Sequence, residues 1–232
     1  MGKGWKAAGK SENAQKKGAM FTKVAREIQV ASKLGGPSPE MNARLRMAID
    51  AAKAISCPND TIDRAIKKGA GLLDDGKIIE EITYEGYGPH GVGVMVECQT
   101  DNKHRTAPEM RSVFKKHEGN LGETNSVAWM FSRVGAIEAS KSGSFDIDEE
   151  AIEAGADDVQ KIETAYEFTT AFENLDTLNK ALQARGWKIT SAGLSYKATN
   201  ITELTPEQLK DVEEFLNAVD DLDDTHKVYA TI

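Results

Sequence analysis

The sequence predicts an α+β protein: a small N-terminal three-helix domain followed by two ferredoxin-like α+β lobes, one inserted in the other. Three observations carry that expectation. Residues 20–71 show only helical spacing of apolar side chains, whereas residues 82–131 switch to a strand, turn, strand, helix, strand pattern. The helix and strand needed to complete that second pattern arrive only after residue 203. The expected boundaries are therefore 1–77 for a basic arm and three-helix domain, 78–132 plus 203–232 for a central α+β domain, and 133–202 for an inserted α+β domain.

The arm spans residues 1–19, where Lys3, Lys6, Lys10, Lys16 and Lys17 are interspersed with glycine and one aromatic, Trp5. Little here can bury a core. It reads either as a solvated leader or as a basic arm that orders on phosphates with Trp5 stacking on a base. From Met20 to Leu34, Phe21, Val24, Ile28 and Ala31 make one apolar face, and Gly35-Gly36 end the helix. Lys23 and Arg26 then lie close to opposite that face. A second helix opens at Ser38-Pro39 and runs to Ile55, burying Leu45, Ala48, Ile49 and Ala52 and exposing Arg46 and Lys53. A third starts at Pro58: Ile62, Ala65 and Ile66 point inward, Arg64, Lys67 and Lys68 outward, and Gly69 to Gly71 close it. None of these short helices is stable alone, so they imply a bundle.

Leu72 to Lys77 is the linker into the central domain. There, Ile82 to Glu85 leads into the turn cluster Gly86-Tyr87-Gly88-Pro89-His90-Gly91. Val92, Val94, Val96 and Cys98 alternate with Gly93, Met95 and Glu97, giving a strand apolar on both faces and therefore well buried. Thr100-Asp101-Asn102 breaks it, and a helix follows from Arg105 to Glu118 with Ala107, Met110, Phe114 and His117 on one face and Gly119 as its stop. Val127 to Phe131 is expected as a returning strand. Far downstream, Thr205 caps a helix whose first turn holds Pro206 and whose stripe is Leu209, Val212, Phe215, Leu216 and Val219; His226 to Ala230 is its partner strand. Between them the inserted lobe reads Val134–Ala139 strand, Ile147–Ala154 helix, Val159–Ile162 and Ala165–Thr170 strands, a helix through Leu175, Leu178 and Leu182 stopped by Gly186, and a final strand Ile189–Ala198. That is the β-α-β-β-α-β order of the split βαβ arrangement.

The net charge of −8 conceals a partition. Residues 1–71 hold 14 Lys and Arg against 6 Asp and Glu, a balance of +8, and the remainder holds 15 against 31, a balance of −16. A cationic head on an anionic body calls for a polyanionic partner. Lysines and arginines decorate most solvated helix faces; here the excess occurs in all three helices and in the arm. Phosphate contact is better supported than base readout, because the proline-bearing connections offer no clear recognition helix.

Other chemistry is sparse. The 40% hydrophobic content suffices for cores, while 6% aromatic content argues against a large stacking platform. No apolar run reaches membrane-spanning length, and the Lys-rich start lacks the apolar stretch of a secretory signal. Cys57 and Cys98 lack metal-ligand spacing and read as buried, reduced thiols of a cytoplasmic protein. No P-loop, dinucleotide fingerprint or zinc motif occurs, and His90, His104, His117 and His226 are scattered. Asp220, Asp221, Asp223 and Asp224 read as an acidic solvated turn, as do Glu149-Glu150 and Asp157-Asp158. No catalytic residues, cofactor or metal are expected. The polar run Thr100 to Thr106 has two readings: an anion site at a helix start using Asn102, Lys103 and Arg105, or ordinary capping with surface cations.

Several stretches together resemble the YebC/PmpR family, which also includes a mitochondrial translational activator. In the head these are Lys16-Lys17-Gly18 through Phe21-Thr22-Lys23, Arg26-Glu27-Ile28, Leu34-Gly35-Gly36, Asn42 with Arg44-Leu45-Arg46, Ala48-Ile49-Asp50, and Pro58 with Ile62 through Gly69. In the centre they are Tyr84-Glu85-Gly86-Tyr87-Gly88-Pro89, Thr100-Asp101-Asn102, Arg105-Thr106, Gly119-Asn120-Leu121-Gly122 and Ser126-Val127. The family's common Gly-His-Ser-Lys-Trp opening is here Gly2-Lys3-Gly4-Trp5, and Glu118 and Asn125 stand where glycine is usual. The resemblance implies a three-domain layout and non-enzymatic regulation of gene expression. Its members are described as DNA-binding transcriptional regulators and as ribosome-associated, rRNA-binding translation factors that assist proline-rich stretches. The expected partners are accordingly DNA or ribosomal RNA, with the ribosome, contacted by a cytoplasmic monomer. Two other classes stay open on the residues alone: a small-molecule enzyme using a cleft between lobes, and an interaction scaffold working through the acidic lobes.

Overall fold

A computed structural model describes residues 14–73, 76, 78–162 and 165–232, and of residues 14–17 the backbone alone. Three helices open it: α1 (Ala14–Gly35), α2 (Ala43–Ala54) and α3 (Asn59–Gly69). Their shared core holds Ile28, Ala31, Leu45, Ala48, Ile49, Ala52, Cys57, Ile62 and Ala65. The helix α2 starts later than Ser38 because Asn42 is its cap. The Asn42 side chain accepts from the Leu45 N–H at 3.0 Å and donates to the Ala31 and Gly36 carbonyls, both at 2.8 Å, so the end of α1 and the start of α2 share one buried amide. Ser38-Pro39 form the turn before it. Gly69 matters for packing: a Cβ there would sit 2.3 Å from the Gln29 carbonyl oxygen, so only glycine lets α3 lie this close to α1.

The first four-stranded sheet has the order β3-β1-β2-β8, built from β1 (Glu80–Tyr87), β2 (Gly93–Thr100), β3 (Asn120–Leu121) and β8 (Thr225–Ala230), all antiparallel. Val94, Val96, Cys98 and Met95 of β2 are buried, as their two-faced apolar pattern predicts. The helices α4 (Lys103–Lys116) and α7 (Pro206–Asp220) meet through Phe114 and Phe215, ring centroids 4.9 Å apart and edge to face. Thr205 and Gln208 form a complete capping box on α7. The expected strand at Val127–Phe131 is instead a single 3-10 turn, Ala128–Met130. Val127 and Phe131 are both buried and four residues apart with Trp129 exposed between them, which is helical spacing.

Phe131 begins β4 (Phe131–Ser140) of the second sheet, ordered β5-β6-β4-β7, with β5 (Asp158–Ile162), β6 (Ala165–Thr170) and β7 (Lys188–Ala198). The helices α5 (Ile147–Ala154) and α6 (Leu175–Ala184) complete a β-α-β-β-α-β lobe around Ile137, Ala139, Phe168, Leu178, Leu182 and Trp187. Glu150, expected on a solvated acidic patch, is buried beneath Lys141, Arg185 and the Trp187 indole, at 2.9, 3.0 and 2.8 Å. Among the described residues, 132–197 form one compact unit and 14–131 with 198–232 form the other, so the three helices and the first sheet belong to the same body. No helix among the described residues is long and apolar enough to cross a membrane.

Candidate nucleic-acid interface

The predicted cations fall into three groups. Lys3, Trp5, Lys6 and Lys10 lie outside the described residues, as do the side chains of Lys16 and Lys17. A second group is tied down within the body. Lys23 donates to the Asp220 carbonyl and Arg26 to the Asp223 carbonyl, and Arg26 also pairs with the Asp224 carboxylate at 2.9 Å. Their expected position on a solvated face is therefore corrected: Lys23, Arg26, Glu27 and Val30 recur at the spacing of a second helical stripe, and that stripe packs on the central lobe. Glu27 accepts from Gln99 of β2 at 2.6 Å and from Arg44 at 2.7 Å, while Arg44 reaches on to Glu81 at 2.8 Å. Burial opposes the Glu27 charge, but the Arg44 hydrogen bond and the His226 ring at 3.4 Å outweigh it and hold the carboxyl below its ordinary range.

Asp224 is the hub, and it is not solvated: 2% of it is exposed. Its carboxylate accepts from Thr100 at 3.0 Å, Thr106 at 2.6 Å and Arg105 at 2.8 Å in addition to Arg26. Burial again works against ionisation, and the Arg105 and Thr106 hydrogen bonds reverse it, so the pKa is lowered. The two readings of Thr100 to Thr106 separate here. Asn102 caps α4, accepting from His104 N–H at 3.1 Å and Arg105 N–H at 3.2 Å, while Lys103 pairs with Glu80 and Arg105 with Asp224. First-turn donors and cations alike have protein partners.

The third group is open. Arg46 and Lys53 on α2 and Arg64 and Lys67 on α3 are exposed, and none meets a carboxylate among the described residues; Arg46 touches only the Pro39 carbonyl, at 3.4 Å. Arg46 and Lys53 are seven residues apart and share a stripe, as do Arg64 and Lys67 at a spacing of three. Asp50, Asp60 and Asp63 are also exposed and interleave with them. Lys68 is half-buried beside Arg26, Thr61 and Asp101 in a cleft of about 280 Å³ where α1 and α3 face the first sheet. Sequence reasoning missed Arg44 and Asp224 as the residues joining head to lobe. Their partners lie far along the chain, so no local signal marks them. Cys98, expected buried and reduced, is both, and burial pushes its thiol up to about 12. No three His, Cys, Asp or Glu side chains converge as metal ligands among the described residues.

Comparison with known proteins bears on this arrangement. The family model described as the TACO1/YebC protein N-terminal domain matches residues 4–72, and the one described as the TACO1/YebC second and third domain matches residues 79–232. A probable transcriptional regulatory protein of Bdellovibrio bacteriovorus is 72% identical over 232 residues, covering 100% of both chains. One of Bacillus licheniformis is 44% identical, covering 98% of this chain and 97% of its own. The crystal structure of a conserved hypothetical protein from Aquifex aeolicus superposes with a TM-score of 0.86 at 43% identity, covering 94% of this chain and 90% of that one.

Proposed function

Because the chain belongs to the TACO1/YebC family, whose curated relatives are named transcriptional regulatory proteins, we propose that it is a nucleic-acid-binding regulator of gene expression, DNA-binding and without enzymatic activity, that meets phosphate with the outer faces of α2 and α3 and the basic arm preceding them. The observation that supports this reading is the sorting of cations. Lys23, Arg26, Lys103 and Arg105 hold the body together, whereas Arg46, Lys53, Arg64 and Lys67 are left with no carboxylate partner. Lys and Arg so placed release counterions from a phosphate backbone on contact and carry no sequence information. The −16 body keeps nucleic acid off the remainder of the surface by repulsion.

One observation favours a second target, ribosomal RNA, and with it a role in translation. Asp60 and Asp63 share the exposed surface of α3 with Arg64 and Lys67. Laid in a duplex major groove, α3 would bring those carboxylates against phosphates on either side. A single phosphate ridge on a folded RNA can be met by the cations alone.

The test is a quadruple reversal, Arg46→Glu, Lys53→Glu, Arg64→Glu and Lys67→Glu, assayed against promoter duplexes and ribosomal RNA across a salt series. The expected outcome is weaker binding to every sequence and a shallower dependence on log salt, by roughly 0.9 per phosphate contact removed on B-DNA and about 0.7 on single strands. Unchanged affinity overturns the reading. Cosedimentation with salt-washed ribosomes, set beside promoter shift assays, separates the two targets.

A further inference from the structure

The interface above leaves two exposed aromatic rings unused. Tyr87, the last residue of β1, is 37% exposed and Trp129, in the 3-10 turn, is 63% exposed. Both donate to the same acceptor: the Tyr87 hydroxyl lies 3.3 Å and the Trp129 indole N–H 3.1 Å from the Ser126 carbonyl oxygen. That carbonyl is itself fixed. The buried Glu85 carboxylate accepts from the backbone N–H groups of Asn125, Val127 and Ala128 at 2.8, 3.0 and 2.9 Å, clamping the loop on both sides of Ser126. Two rings are thus presented to solvent in pre-set orientations, and a ligand that stacks on them needs little further ordering. The low aromatic content that argues against a large platform is compatible with a two-ring one.

The surroundings carry charge of one sign that is not neutralised. Lys115 and Lys116, in the last turn of α4, are exposed and meet no carboxylate among the described residues. Three residues later Gly119 passes under Tyr87: a Cβ on it would be 2.7 Å from the Tyr87 carbonyl oxygen. Three residues of chain span at most about 11 Å, so these lysines belong to the neighbourhood of the rings. Aromatic faces beside free ammonium groups suit a base followed by its phosphate.

We propose that Tyr87 and Trp129 form a stacking platform for an unpaired nucleobase, with Lys115 and Lys116 holding the adjoining phosphates. This rests on the nucleic-acid reading and narrows it: the natural target is single-stranded or displays splayed-out bases. A proline-rich peptide could also lie on Trp and Tyr, but it would have no use for the lysine pair.

The test uses the full chain with a 12-nucleotide oligoadenylate and the same strand in duplex with oligouridylate, followed by fluorescence anisotropy. Trp129→Ala is expected to weaken the single strand about tenfold and the duplex hardly at all, with Trp129→Phe retaining most of the affinity. Lys115→Glu with Lys116→Glu, on a separate element, is expected to weaken the single strand too. Equal losses for both forms, or none, overturn the platform and leave the head reading standing. Failure of the wild-type chain to bind either form overturns both. If the head reversal is silent while Trp129→Ala weakens the single strand, the head reading fails and the platform holds. Loss of affinity for a proline-rich peptide alone in Trp129→Ala overturns it in favour of a peptide groove.

Discussion

Arg26 in α1 and Asp224 beside β8, 198 residues apart in the chain, meet at 2.9 Å with side-chain exposures of 14% and 2%. Through this pair the helical head is fastened to the central lobe. Asp224 collects a second guanidinium from Arg105 and two hydroxyls, so its buried charge is fully satisfied. Removing the carboxylate strands Arg26, and breaking such a buried pair costs about 3 kcal/mol. Asp224→Ala is expected to lower unfolding free energy in urea by about that amount. A loss below about 1 kcal/mol would show the pair to be idle.

The pH response of the inserted lobe follows from Glu150. The Arg185 hydrogen bond, then those of Lys141 and Trp187, lower its pKa to about 2. A depressed carboxylate pKa contributes stability that is fully present above the unfolded value, about 4.3, and disappears as pH falls toward the folded one. Because Trp187 donates directly to Glu150, its fluorescence is expected to change between about pH 4 and pH 2. Glu150→Gln should abolish that transition; a titration unaltered in the variant would assign it elsewhere.

Gly69 sets the α1–α3 contact. With Gln29 O 2.3 Å and the Ser32 Cβ 2.8 Å from any added Cβ, Gly69→Ala must push the helices apart. Overpacking of this kind costs roughly 1–3 kcal/mol. The expected signature is a lower midpoint in chemical denaturation with the distant Glu150–Trp187 site unaffected, and a neutral substitution would show that α3 is free to shift.

Glu118 sits at φ +60° and Asn125 at φ +68°, the two positions where the resembling family usually carries glycine. A left-handed backbone disfavours a side chain such as glutamate by about 1 kcal/mol, while glycine adopts it freely. Glu118 is exposed and leads directly into Gly119, so Glu118→Gly should raise the melting temperature by a few degrees. A fall on calorimetry would mean that the entropy of the unfolded glycine chain dominates.

Elements with their own start and stop signals were legible as they stand. Ile147–Ala154 and Ala165–Thr170 have the ends their spacing predicts, and Thr205-Pro206 marks the start of α7. Val127–Phe131 was misread because five residues cannot distinguish alternation from a helical i, i+4 repeat until it is known that Trp129 faces solvent. The start of α2 was misread because Ser38-Pro39 and Asn42 are both plausible openings, and only the bonds from Asn42 to Ala31 and Gly36 select between them. Tyr87 and Trp129 carry no spacing signal at all, since they share a carbonyl from a third segment.

The sequence by itself determined the two α+β lobes, the three helices and the concentration of positive charge in front of a negative remainder, because apolar periodicity and residue type are local quantities. Tertiary structure alone decided which of those positive charges stay available. Lys23 and Arg26 look as free as Arg46 and Lys67 in one dimension, but carbonyls and carboxylates from the Asp220–Asp224 turn reach the first pair and none among the described residues reaches the second. Neutralisation needs a partner within a few ångströms, and chain folding, not chain order, supplies it.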